Sequence, residues 1–191
     1  MSLPLDGIVV LDMSRALAGP YCSEMLADMG ADVIKIERPG KGDDSRHWGP
    51  PFQEGESAYF MSINRNKRSM TLNIQKEEGQ KLFKRLVAKA DVVIENMRPG
   101  NLEKKGISYK DLSKDNERLI WCSITGFGLT GPDAMRPGYD IIAQGMGGMM
   151  SITGEPNMPI RPGVATADIT TGMFAAYGIM TALFERERSG K

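Results

Sequence analysis

Residues 8–37 read IVVLDMSRALAGPYCSEMLADMGADVIKIE, and this stretch carries the expectation for the fold. It opens on Ile8-Val9-Val10-Leu11, an apolar run rich in β-branched side chains, which suits a buried strand. Asp12 and a loop from Ser14 to Pro20 come next. Tyr21 to Met29 reads as a helix stopped by Gly30, because glycine accepts the backbone turn that ends a helix. Val33-Ile34-Lys35-Ile36 is a second strand. Strand, loop, helix and strand, in that order and length, make a βαβ unit. The handedness of such crossovers then predicts that the two strands lie parallel.

Outward from this unit the alternation continues. Pro39 to Ser57 is rich in Gly, Pro and charge without a sustained period, and reads as a long loop of the kind that carries function or is disordered. Ser69 to Ile74 alternates as a strand does. Glu77 to Ala88 has helical spacing, with Leu82, Phe83, Leu86 and Val87 on one side. Asp91 to Glu95 and Leu119 to Ile124 are two more strands. Asp140 to Met150 reads as a Gly-rich helix, and Ala165 to Arg188 as a long one entered through the Pro159–Gly163 turn. Strands alternating with helices predict an α/β class: a Rossmann-like, doubly wound, mostly parallel sheet flanked by helices. The tail Glu185 to Lys191 suits either a solvated end or a cut through a longer protein.

Bulk properties narrow the function classes. A chain of 191 residues can bury a real core, and 41% hydrophobic with 25% charged residues matches a soluble globular protein. Lys+Arg and Asp+Glu both total 24, which leaves no net charge to draw in nucleic acid or an anionic membrane. The basic cluster Asn64 to Arg68 reads as a solvated face. No basic and apolar leader opens the chain, so no secretory signal is expected. Gly172 to Phe184 is too short an apolar run for a bilayer and is flanked by Asp168 and Glu185, which predicts a buried helix. Cys22 and Cys122 form neither a metal spacing nor a disulfide framework, so a reducing cytoplasm or organelle matrix is expected.

Each chemical signal has a plainer alternative. Gly126-Phe-Gly128-Leu-Thr-Gly131 matches G-x-G-x-x-G after a predicted strand. A dinucleotide site also needs a helix opening in the glycine turn, and Pro132 and Pro137 leave no room for one. Neither NAD nor flavin is expected there. Cys122 lies within an apolar strand, where burial raises a thiol's pKa and makes it inert, and Cys22 reads as core. His47 is the only histidine, so a His-rich metal site is out of reach and no metal is expected. No Gly-x-Ser-x-Gly elbow supplies a hydrolase serine. Asp168 sits in Pro162-Gly-Val-Ala-Thr-Ala-Asp168-Ile-Thr-Thr-Gly172, at the start of an apolar helix. An acid there can be a cap or dipole partner. Its small neighbours, however, leave room for something bulky to reach the carboxylate.

At this point the chain resembles a family, the class III coenzyme A-transferases, which includes carnitine, formyl-CoA and dicarboxylate transferases. The likeness runs through Leu5-Asp-Gly-Ile-Val-Val-Leu-Asp12, Ala18-Gly-Pro20, Gly30-Ala-Asp-Val-Ile-Lys-Ile-Glu-Arg-Pro-Gly40 and Gly42-Asp-Asp44. It continues through Asn64-Arg-Asn-Lys-Arg-Ser69, Asp91-Val-Val-Ile-Glu-Asn96 and Pro99-Gly100. It closes with Ser123-Ile-Thr-Gly-Phe-Gly128, Gly138-Tyr-Asp140 and Ala167-Asp168-Ile-Thr-Thr-Gly172. One such segment is weak; the ordered series is specific.

The resemblance implies that Asp168 is the nucleophile, attacking a donor thioester to give an aspartyl-acyl mixed anhydride and CoA thiolate, from which an acceptor carboxylate leaves as the new thioester. It implies coenzyme A contacts at Ala16, Leu17, Ala18, Arg38, Leu72, Asn96, Arg98 and Lys104, with Tyr139 and Asp140 near the acyl end. Acyl-CoA and a carboxylic acid would be the partners. The family's chains are about twice as long and form an interlocked homodimer. Residues 1–191 would thus be the N-terminal part of the large domain, without the smaller second domain or the C-terminal return. Formyl-CoA transferases carry His-x-Gln-Ala where Arg15-Ala-Leu17-Ala18 stands, and a CoA-contact position often filled by lysine in the family is Gln75 here. These departures point away from formate and oxalate, and Gln75 departs from the family's CoA contact. Gly42-Asp-Asp-Ser-Arg46 and Arg161-Pro-Gly163 look closest to the dicarboxylate transferases. Two other readings stay open. One is an α-methylacyl-CoA racemase, whose Gly-His-Asp motif is Gly138-Tyr139-Asp140 here; the other is a CoA-binding fragment without catalysis.

Overall fold

Central strands buried along nearly their whole length organise the chain in the computed structural model, which describes residues 2–191. Strand β1 (Val9–Asp12) leads through α1 (Ala18–Asp28) to β2 (Asp32–Glu37). After a long excursion holding the short α2 (Ala58–Ser62), the chain forms β3 (Arg68–Thr71) and α3 (Glu77–Val87). Then come β4 (Val92–Glu95), α4 (Tyr109–Leu112) and β5 (Ile120–Ser123). Helices α5 (Asp140–Met146) and α6 (Thr166–Ser189) complete it.

The sheet order is β3-β2-β1-β4-β5, and every pairing is parallel, with Val10 opposite both Val33 and Val92. Successive strand residues face opposite layers. Val10, Val92 and Ile94 pack with Cys22 and Leu26 of α1 and with Ala176, Ile179 and Leu183 of α6. Leu11 and Val93 point the other way, onto Phe83 and Val87 of α3 and Leu112 of α4. This is the predicted Rossmann-like, doubly wound arrangement.

Several predicted boundaries shift for local reasons. Helix α1 begins at Ala18 rather than Tyr21, because Pro20 falls in the first turn, where its missing N–H leaves no hydrogen bond unmade. The third strand ends at Thr71, not Ile74. Helix α5 stops at Met146, where Gly147 and Gly148 intervene before a 3-10 turn at Met149–Ile152. Leu82 lies outside the buried stripe of α3, with 37% of its surface exposed. The loop from Pro39 to Ser57 contains a 3-10 turn at Asp44–His47 and a small hairpin pairing Phe52–Gln53 with Glu56–Ser57.

Helix α6 is long and apolar enough to cross a membrane by length and composition alone. Here it packs through Gly172, Ala176, Ile179, Leu183 and Arg186, spaced three and four apart as one helix face requires. Arg186 anchors its far end, 2.9 Å from Asp91 and donating to the Arg118 carbonyl. The expected burial holds for this one face only, and Phe174, Tyr177 and Phe184 lie on the exposed side. Near its start, α6 crosses α1 very closely. A methyl group at Gly172 would stand 2.7 Å from the Ala18 carbonyl oxygen and 3.1 Å from the Tyr21 ring. Only a residue without a Cβ permits that approach.

Candidate active site

A cleft of about 1200 Å³ runs across the carboxyl ends of the five strands, the customary place for a ligand in an open α/β sheet. Met13 and Ser14 follow β1, Arg38 follows β2, Leu72 follows β3, Asn96 and Arg98 follow β4, and Ile124 to Phe127 follow β5; all line it. Asp140 and Asp168, from the first turns of α5 and α6, close one side. Ala16, Leu17, Ala18, Tyr139 and Gln75 face the same space. Lys104 does not. It sits exposed on a 3-10 turn, Glu103–Lys105, away from the lining.

The loop from Ser14 to Leu17 is held unusually firmly. Ala16 has a φ of 68°, a left-handed backbone that costs a non-glycine residue energy and persists only where its surroundings enforce it. Asn96 supplies part of that enforcement: its Oδ1 accepts from the Arg15 amide and its Nδ2 donates to the Arg15 carbonyl. Asp43 accepts from the Ala16 amide, and Lys35 Nζ donates to the Ser14 carbonyl. Beneath the loop lies a buried charge network. Lys35 Nζ is 2.8 Å from Asp43 and 3.9 Å from Asp12, and Lys67 Nζ is 3.4 Å from Asp12.

The network shifts its members strongly. Burial alone would raise the Asp12 carboxyl, but Lys35, Lys67 and the hydroxyls of Ser14 and Ser23 outweigh it and hold Asp12 at about 2. Lys67, expected on a solvated face, is instead buried, and burial lowers it to about 8 despite Asp12 beside it. At the rim, Arg15 and Arg38 both bond to Asp44, at 2.9 and 2.7 Å.

Asp168 and Asp140 form the other focus. Asp140 does the capping for α6: its Oδ1 accepts from the amides of Ala167 and Asp168 at 3.0 and 3.3 Å. Its Oδ2 accepts from Gln144 Nε2 at 2.6 Å. The Asp168 side chain caps nothing and accepts no hydrogen bond among the described residues. Burial first, and the neighbouring Asp140 second, push its carboxyl above the usual range. Asp168 and Gly172 stand four positions apart, so both lie on one face of α6. The close crossing at Gly172 therefore sets Asp168 over the loop that ends in Leu17 and Ala18.

A smaller pocket of about 430 Å³ adjoins this corner, lined by Leu17, Tyr21, Tyr59, Ser62, Ile63, Arg161, Gly163, Ala165 and Ile169. Leu17, Tyr59, Arg161 and Ala165 belong to both spaces. The Tyr59 hydroxyl is raised by burial and by the charges of Asp168 and Asp140.

The glycine motif at Gly126 to Gly131 runs into turns, and the next helix begins only at Asp140. Gly126 packs backbone to backbone against Gly138, where a Cβ would meet Gly138 Cα at 2.2 Å. The glycines shape the cleft wall. Cys122 is partly buried, with burial raising its thiol to about 11, and Cys22 is fully buried and raised further. His47 ends the 3-10 turn and contacts the Lys41 carbonyl.

Some of this site escaped the sequence reading. Tyr59 carries no motif, and the Gly42-Asp-Asp44 segment gives Asp43 no stated role. Their places depend on a long loop folding back over β1 and β2, and no local spacing reports that.

Comparison with known proteins identifies the family and the fold. The chain is 52% identical over 189 residues to succinyl-CoA:glutarate CoA-transferase of Mus musculus, covering 98% of the chain and 43% of that protein. It is 53% identical to succinate–glutarate CoA-transferase of Agrobacterium fabrum, covering 98% of the chain and 49% of that protein. The chain thus spans about half the length of these relatives. A crystal structure of a CAIB/BAIF family protein from Brucella suis superposes with a TM-score of 0.96 at 54% identity, covering 100% of this chain and 52% of that one. The family model described as CoA-transferase family III matches residues 5–191. The chain belongs to CoA-transferase family III.

Proposed function

We propose that this protein moves CoA between an acyl-CoA thioester and a carboxylic acid, with Asp168 as the nucleophile. The observation that carries the reading is the uncommitted carboxylate of Asp168 in the cleft, whose capping duty falls to Asp140. A carboxylate stripped of water and hydrogen bonds is a better nucleophile than a hydrated one, and a covalent anhydride divides one hard exchange into easier steps. The Asp168 oxygen attacks the thioester carbonyl, the carbon–sulfur bond breaks, and CoA leaves as thiolate. The thiolate then attacks the Asp168 carbonyl of the anhydride, releasing the donor acid and leaving CoA as a thioester on Asp168. The acceptor carboxylate attacks that thioester, freeing the thiolate and forming a second anhydride. The thiolate attacks its acceptor carbonyl to give the new acyl-CoA and free Asp168.

The CoA chain would lie along the strand ends. There the α1 N-terminus at Leu17 and Ala18, together with Arg38 and Arg98, offers positive charge to phosphates. Lys104 stands outside that lining, and we give it no role. Dicarboxylic acids are the substrates we favour, in keeping with the activities for which the mouse and Agrobacterium relatives are named. We read residues 1–191 as the N-terminal part of the large domain, acting in a homodimer in the cytoplasm or an organelle matrix.

Hydroxylamine trapping tests the central step. Incubation with acyl-CoA donors and hydroxylamine is expected to leave a hydroxamate at Asp168, mapped by peptide mass spectrometry and lost in Asp168→Ala. Exchange of an α-hydrogen of a 2-methylacyl-CoA into deuterated water without labelling would favour racemase chemistry instead. Tight CoA binding without labelling in folded protein would reduce the chain to a binding module.

A further inference from the structure

Arg161 is the one basic residue lining the smaller pocket, and it also lines the main cleft. Its guanidinium lies 3.6 Å from Asp140 Oδ2 and donates no hydrogen bond among the described residues. The other cations near the acyl corner are committed. Arg15 and Arg38 share Asp44, and Lys35 is sealed against Asp43 beneath the loop. Arg98 lines the cleft but not the pocket.

A single carboxylate, that of Asp140, separates the Arg161 guanidinium from the helical turn bearing Asp168. Asp168 faces the cleft and Ile169, the next residue, faces the pocket. An acyl group whose carbonyl carbon meets Asp168 would extend its methylene chain toward the pocket that Ile169 and Arg161 both line. The pocket's volume, about 430 Å³, suits a small ligand, and its lining is apolar apart from hydroxyl tips and this one guanidinium. A guanidinium with free donors matches a carboxylate by two parallel hydrogen bonds.

We propose that Arg161 is a specificity-determining residue, reading the far carboxylate of a dicarboxylic acyl group whose reacting end lies at Asp168. The proposal rests on the CoA-transferase reading for the reacting end, but its binding half can be tested separately. The alternative role for Arg161 is to offset the charge of Asp140, which would affect all substrates alike.

Titration calorimetry with glutarate and with valerate, which lacks the second carboxylate, separates the two. The wild-type protein is expected to prefer glutarate by on the order of 10- to 100-fold, the range for hydrogen bonds to a charged group. Arg161→Gln is expected to abolish that preference while retaining valerate binding, and Arg161→Lys to keep part of it. Equal affinity for the two acids in the wild type, whether both bind or neither does, overturns the proposal. So does an equal loss of both acids in Arg161→Gln. Labelling of Asp168 by succinyl-CoA and butyryl-CoA is the second readout, and Arg161→Gln should depress only the former. If neither thioester labels Asp168 while the glutarate preference stands, the transferase reading fails and the dicarboxylate subsite survives.

Discussion

Replacing Gly172 by alanine is expected to disable Asp168 from a full helical turn away. The new methyl group would lie 2.7 Å from the Ala18 carbonyl oxygen, a backbone atom that cannot swing aside, and 3.1 Å from the Tyr21 ring. Restoring an ordinary contact of 3.4 Å requires α6 to retreat by about 0.7 Å. Overpacking of this kind costs about 1–3 kcal/mol, against a gain of about 1 kcal/mol because alanine favours the helix. The net destabilisation is therefore modest, about 0–2 kcal/mol. Asp168 shares the rigid face that must move, and a displacement near 1 Å at a reacting group can cost on the order of 100-fold in rate.

Gly178 on the same helix supplies the control, since a Cβ there meets nothing within 4 Å. Gly178→Ala is expected to raise stability by about 0.5–1 kcal/mol and leave labelling unchanged. The assay pairs urea denaturation with the rate of hydroxamate formation at Asp168 in both variants. Wild-type labelling by a Gly172→Ala protein that is no less stable would show that the close crossing does not position the carboxylate.

Removing the like charge in Asp140→Asn favours ionised Asp168, so its pKa falls. The acid limb of the labelling profile should move to lower pH, while Asn Oδ1 can still cap α6; an unmoved limb would mean the two carboxylates do not interact. Asp12 is held at about 2 rather than 3.8, so its stabilisation is complete above about pH 4 and lost as pH falls through 2. That loss is worth roughly 2 kcal/mol, and Asp12→Asn should flatten this part of the acid-unfolding curve. Asp43→Asn keeps an oxygen for the Ala16 amide but leaves Lys35 without its 2.8 Å partner, and should cost about 3–5 kcal/mol in denaturant melts. Ala16→Gly relieves the left-handed backbone and is expected to hold or raise the melting temperature.

The α/β class and the parallel order of the first strands could be read from residues 8–37, because β-branched runs, a stopping glycine and crossover handedness are all local properties. The same holds for the failure of the glycine motif, which Pro132 and Pro137 decide on the spot. Asp168 could be picked out from its small neighbours and the family pattern, yet those residues fit a helix cap equally well. Tertiary structure removed the capping role by bringing Asp140, from another helix, to the amides of Ala167 and Asp168. The left-handed Ala16, the Lys35–Asp43 pair beneath it and the place of Arg161 between two cavities were likewise decided in three dimensions. Each depends on groups far apart in the chain meeting at the strand ends. Periodicity reports which face a residue presents, but not which distant partner will be waiting there.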